Sequence, residues 1–226
     1  MTPTFIQKHM NPSFEKQAGL SLIIFTFLIL FTMILHPAGG SFQRLLDMSS
    51  MILVTHSVAI LSLPFAAIGF WGLTRKIGAG NFLSLTAFVM SAFALVAVLL
   101  AGTANGLILP IFIRQYQNAA PDMIDTLRPI LNYNHAINAA FDYIYTGAFC
   151  LAMAGWSVAI LRTGQLHRWI GGWGILVSLT GLAVAAIGAS PASLIGFRLF
   201  AAGLVSWTIF VGAALIGRGG QNISRK

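Results

Sequence analysis

Ala18-Gly19-Leu20-Ser21-Leu22-Ile23-Ile24-Phe25-Thr26-Phe27-Leu28-Ile29-Leu30-Phe31-Thr32-Met33-Ile34-Leu35-His36 is the stretch on which the fold turns. No charge interrupts it, and before His36 its only polar side chains are Ser21, Thr26 and Thr32. An α-helix rises about 1.5 Å per residue, so a run of this length crosses a hydrocarbon core of ~30 Å. The same signature recurs downstream. Helices are expected from about Ser50 to Leu73, Asn81 to Leu109, Asn132 to Leu161, Trp169 to Ala189 and Leu194 to Ile216. The predicted fold class is therefore an all-α polytopic membrane bundle of six transmembrane helices.

Composition agrees. Of 226 residues, 57% are hydrophobic and 8% are charged, whereas a soluble domain carries about 25% charged residues. Too few charges are present to cover a water-facing surface, so lipid is the expected solvent. The chain divides into a polar tail over 1–17, a transmembrane domain over 18–217 and a second tail over 218–226. The first apolar run exceeds the roughly 7–15 residues of a signal-peptide core. It ends at His36-Pro37-Ala38-Gly39-Gly40 instead of a small-x-small cleavage site, so we expect it to be retained.

The net charge of +8 is read as topology, with no nucleic acid as partner. With the amino terminus inside, Lys8, Lys16, Arg75, Lys76, Arg162, Arg168, Arg218, Arg225 and Lys226 fall on the cytoplasmic side. Arg44, Arg114, Arg128 and Arg198 fall outside. Excess Lys and Arg mark the cytoplasmic face, so both termini are expected there.

The longest outer segment is expected from Ile111 to about Leu131, with a short surface helix over Pro121–Arg128 inside it. Proline suits a first helical position, and Asp122 suits the first turn. A tight loop, Ser190-Pro191-Ala192-Ser193, is expected before the last helix. The glycines and alanines of helices 3, 5 and 6 fall at helical spacing and suit close packing within the bundle. Trp71, Trp156, Trp169 and Trp173 gather toward the cytoplasmic side, as an aromatic belt does, while Trp207 reads as packing. Cys150 is the lone cysteine and reads as a small core hydrophobe.

Four polar residues fall at one depth. His56 is 19 residues before Arg75, Asp142 is 20 before Arg162, Arg198 is 20 before Arg218, and His36 is 20 beyond Lys16. That level is the outer edge of the hydrocarbon. His135 lies two turns above Asp142 on the same helix face, with Asn138 between them and Thr146 extending the stripe inward. The candidate ligand-binding residues are therefore His36, His56, His135, Asn138, Asp142 and Arg198. Imidazole and carboxylate together are metal ligands, which makes His36, His56 and Asp142 a candidate metal set. Arg198 is placed to pair with Asp142 or with an anionic ligand. The competing reading is that these residues mark where the hydrocarbon stops, with Arg198 snorkelling to the headgroups.

No HExxH, CxxC, phosphate-binding glycine loop or nucleophile elbow is present. Haem would need two facing imidazoles, which His56 could supply with His135 or His36 if their helices are neighbours. His9 and His167 read as cytoplasmic surface residues.

The stretch His36-Pro37-Ala38-Gly39-Gly40, the run Thr55-His56-Ser57-Val58-Ala59-Ile60 leading to Gly69-Phe70-Trp71-Gly72-Leu73-Thr74-Arg75, and Trp156-Ser157-Val158-Ala159-Ile160-Leu161-Arg162 carry a resemblance. They are similar to uncharacterised bacterial six-helix membrane proteins classed as domains of unknown function. The resemblance covers most of the chain and implies a bacterial inner membrane. It implies no reaction type and brings over no functional residue. Three functions stay open: a small-ligand binding, sensing or transport bundle with a polar site near the outer face; a metal- or haem-dependent membrane enzyme or redox protein; and an accessory subunit packed on a membrane-protein partner or on a second copy.

Overall fold

A computed structural model describes residues 12–36, 40–186 and 194–221, and side chains within 13–36, 40–186 and 201–217. The described residues are mostly helical, with no strand among them. The elements are α1 (Pro12–Leu35), the short α2 (Phe42–Asp47), α3 (Ser49–Ile77), α4 (Phe82–Ala101), a π-helical segment (Gly102–Ile108), α5 (Leu109–Arg114), α6 (Pro121–Thr163), α7 (Arg168–Ala186) and α8 (Leu194–Gln221). Five helical stretches are long and apolar enough to cross a membrane: Ser13–Leu35, Ser49–Ile77, Phe82–Arg114, Pro121–Thr163 and Arg168–Ala186. In α8, the stretch with described side chains is a shorter apolar helix, Ala201–Gly217.

Local chemistry sets the element ends. Gly78, at φ 127°, closes α3 in a conformation that L side chains rarely adopt. Asn81 then caps α4, its side-chain oxygen accepting from the backbone N–H of Leu83 and Ser84 at 3.0 and 3.4 Å. Gly164, at φ 65°, closes α6.

The long helices form a closed ring in chain order. α3 packs on α4, α4 on α6, α6 on α7, α7 on α8, and α8 returns to α1, which packs on α3. The ring has a basic end, where α1 begins and α3 and α6 finish, and an opposite end that carries α2, α5 and the start of α6. Outward faces are apolar, with Phe27 and Leu61 both 67% exposed and Phe93 61% exposed. Such faces suit lipid contact. Glycines and alanines turn inward: Ala94, Ala97, Gly174 and Gly181 are all buried. At Gly72 a β-carbon would fall on Ala18, so α1 and α3 touch there almost backbone to backbone.

The basic half of the ring is filled. Trp156 stacks on Phe70 at 5.0 Å and on Trp207 at 6.0 Å, and its indole N–H donates to Thr74 Oγ1 at 3.0 Å. Both tryptophans are fully buried. Trp207 therefore packs as expected, while Trp156 is a core residue instead of a belt residue. The belt position fits Trp169, which is 54% exposed. Cys150 is fully buried in the same core half. At the rim, Lys76 Nζ contacts both Glu15 oxygens at 2.8 Å, and the Arg75 guanidinium lies 5.4 Å over the Phe14 ring. Thr26 and Thr208 join α1 to α8 through a 2.9 Å hydroxyl contact.

Three expected boundaries need correction. In the segment Ile111 to Leu131, α5 reaches Arg114 and a turn over 115–120 follows, after which the expected surface helix and the helix expected from Asn132 are one element. α6 starts with Pro121 in its first turn and continues through Pro129 for 43 residues. At 1.5 Å per residue it is about 64 Å long, roughly twice a hydrocarbon core. Proline removes one hydrogen bond from a helix, which neighbouring packing and solvent can make good. The helix starting at Ala18 in the expectation begins at Pro12, so it takes in part of the 1–17 tail. The last helix, expected to end near Ile216, runs to Gln221. Pro37 to Gly39, His9 and the 190–193 loop lie outside the described residues.

Candidate functional site

The opposite half of the ring holds a cavity of about 1050 Å³. Its walls come from α1, α3, the α4–π–α5 stretch, α6 and α8, and α2 lies over its mouth with Phe42, Gln43 and Leu45. The deep part is apolar. Phe25, Ile29, Leu63, Leu95, Phe149 and Leu204 line it. Its floor is the aromatic stack, since Phe25 meets Phe70 edge-on at 6.1 Å and Phe149 meets Phe70 at 5.4 Å.

The polar residues gather toward the mouth. His36 follows α1, and His56 is the eighth residue of α3. Their rings touch, with centroids 5.3 Å apart and planes tilted by 58°. His56 is buried, and its Nδ1 lies 2.8 Å from the Ile52 carbonyl. A carbonyl only accepts, so Nδ1 carries the hydrogen and Nε2 is left with the lone pair in the neutral ring.

The π-helical segment packs on that histidine. A β-carbon at Gly106 would fall on the His56 ring. Glycine thus lets the widened turn lie flat against α3. One turn of π-helix within an α-helix often marks a functional site, because it re-aims the side chains around it. Here it turns Asn105 to the cavity, and Asn105 Oδ1 accepts from Asn134 Nδ2 at 3.1 Å. At the end of α5, Arg114 donates from Nε to Ser49 Oγ at 2.9 Å and from Nη2 to Ser50 Oγ at 2.8 Å. It pins the start of α3, and hence the approach to His56.

α6 supplies the third polar wall. His135, Asn138 and Asp142 all line the cavity, at i, i+3 and i+7 on one face. Asn138 Nδ2 donates to Asp142 Oδ2 at 3.1 Å. The stripe continues inward to Tyr145 and Phe149; Thr146, expected on it, is buried elsewhere in the packing. Higher on the same helix, Asn132 and Arg128 reach the mouth. Arg128 is exposed and paired with Asp125 at 2.8 Å.

Of the six residues singled out in the sequence, His36, His56, His135, Asn138 and Asp142 thus line one cavity. Arg198 is on α8, and its side chain lies outside the described residues. The expected metal set is not assembled: among the described residues no group of three His, Cys, Asp or Glu is placed to hold a metal ion. His36 and His56 are in contact, but Asp142 does not join them as a third ligand. Axial haem ligation calls for imidazoles on opposite sides of the macrocycle. His36 and His56 instead lie ring against ring.

Asn105, Asn132, Gln43 and Thr32 are cavity residues that the sequence did not single out as a site. Asn105 had a signal, an amide flanked by Gly102 and Gly106 inside an apolar helix. The others became legible only with the helix order. No family model, curated protein or solved structure matches the chain.

Proposed function

We propose that this chain is an integral membrane protein of six spans, with both termini on the cytoplasmic side of a bacterial inner membrane, and that it binds a small ligand in the cavity at the opposite face. The Lys and Arg count supports the orientation. Residues 194–221 are a single helix, long enough to serve as the sixth span. One observation carries the ligand reading. Polar side chains from α1, α3, the π-helical segment and α6 converge on one half-enclosed space whose size slightly exceeds the usual ~300–1,000 Å³ of small-molecule pockets. Residues that only marked the hydrocarbon edge would point outward to headgroups. His56 is 8% exposed and faces inward. Ala94, Ala97, Gly174, Ser178 and Gly181, small residues that an accessory subunit could offer to a partner, are buried inside the ring.

Two measurements test this. A fluorescent-protein fusion after Lys226 should light up, and alkaline phosphatase inserted within Gln115–Ala120 should be active, since that turn lies at the opposite end. The reverse pattern would overturn the orientation. Native mass spectrometry of protein released from nanodiscs should show a retained small molecule that is lost on Ala59→Trp, which puts an indole into the cavity. Identical, adduct-free spectra of both proteins would sink the ligand reading.

A further inference from the structure

Resting on that reading, we infer that the occupant is a long-tailed amphiphile with an uncharged, hydroxyl-bearing head. The cavity has two chemistries separated along the membrane normal. Its apolar part runs from the aromatic floor upward, and its hydrogen-bonding groups lie above. From Phe25 on the floor to His36 at the top is 11 residues, about 16 Å of helix, or about half of a ~30 Å hydrocarbon core. On α3 the same interval separates Leu63 from Ile52. Along α1 and α3 the cavity is thus about one leaflet deep, while its lining on α6 continues upward past Asp142 to Ile124 at the mouth.

Neither water nor hydrocarbon alone satisfies such a space. Apolar cavities stay dry, so the Phe25–Leu95–Phe149 region would not hold ordered water. Hydrocarbon reaching the top would leave His56, Asn138 and Asp142 facing a medium that cannot hydrogen-bond, at a cost of several kcal/mol for each unpaired group. A molecule with a tail below and a hydroxylated head above meets both demands. A hydroxyl donates to Asp142 or to the lone pair on His56 Nε2, and accepts from the amides of Asn138 or Asn132.

The charge of the head follows from the lining. Among the described cavity side chains the one Lys or Arg is Arg128, which is at the mouth and already paired with Asp125; Arg198 of α8 is not among them. Asp142 would repel a carboxylate or phosphate head, whereas the amides of Asn132 and Asn138 suit hydroxyls. A water-soluble polyol would leave the apolar part unfilled.

The test titrates radiolabelled monoolein, oleate and glycerol into protein in phosphatidylcholine nanodiscs. Monoolein should bind saturably at one molecule per chain above the empty-disc background. Asn138→Ala should weaken it by roughly tenfold, as expected for the loss of one well-placed hydrogen bond. Ala59→Trp should abolish saturable binding, and if that variant is unstable, Leu95→Phe should lower the capacity instead. Oleate binding more tightly than monoolein would overturn the uncharged head. Glycerol binding as well as monoolein would overturn the tail. Either result leaves the cavity as a ligand site. No saturable binding of any probe, together with an adduct-free native spectrum, would remove both the inference and the reading beneath it.

Discussion

The two halves of this bundle are built from the same helices and solve opposite problems. At the basic end, glycine and alanine draw α1 to α3 and α8 and draw α6 to α4 and α7, and Phe70, Trp156 and Trp207 fill what is left. At the other end the same helices enclose about 1050 Å³ of space lined by histidines, amides and an aspartate. In lipid, packing supplies much of the helix association, because the hydrocarbon outside is as apolar as the interior. A closed basic half can therefore hold the ring together while the other half gives up contacts. The difference teaches where the packing is spent: the stack is the anchor, and the cavity is what it leaves open.

The largest test compares one substitution in each half. Leu73 is fully buried against the stack, whereas Leu95 borders the cavity. Leu73→Ala should cost ~2–5 kcal/mol, as large-to-small changes in packed cores do. Leu95→Ala should cost less than ~1 kcal/mol, because its side chain already faces a space and no new cavity opens. Thermal unfolding in one detergent measures both. Equal losses would mean that the halves are packed alike, and the contrast would collapse.

The second test is at the seam between the halves. Gly106→Ala pushes a methyl into the His56 ring and should cost ~1–3 kcal/mol through overpacking. His56→Ala removes the obstacle. The double variant should then cost less than the two single changes added together. Strict additivity would show that the π-helical turn does not bear on the histidine.

Much of this was readable in advance, for a physical reason. Helical rise is constant, so counting from Lys16 and Arg75 brought His36 and His56 to one level, and their rings lie 5.3 Å apart. The apolar runs gave the long helices because lipid demands about 20 residues for each crossing. Counting along a helix says nothing of its neighbours, so convergence on one cavity had to wait for the ring order. The continuity of α6 through Pro129 was hidden because proline is a helix breaker in isolation and a tolerated interruption when packed. The π-helical turn was hidden too, since Gly102 and Gly106 read equally well as small packing residues. Trp156 misled because a tryptophan six residues before an arginine looks interfacial, and only its stacking on Phe70 and Trp207 places it inside.

The smallest effect bears on what holds the cavity open. Asn134 lies on the upper part of α6 and donates to Asn105 on the π-helical segment. This hydrogen bond joins α6 to that segment at the cavity mouth. Interhelical hydrogen bonds in membrane proteins average only ~0.6 kcal/mol, with a maximum near ~1.7. Asn134→Ala and Asn105→Ala should therefore each cost about 1 kcal/mol or less, and the double variant should cost little more than either alone. A coupling near zero would mean that the mouth is set by apolar contacts between α4 and α6. A coupling of the expected size would make the amide pair a separate fastening, one that fixes the mouth without adding to the stack.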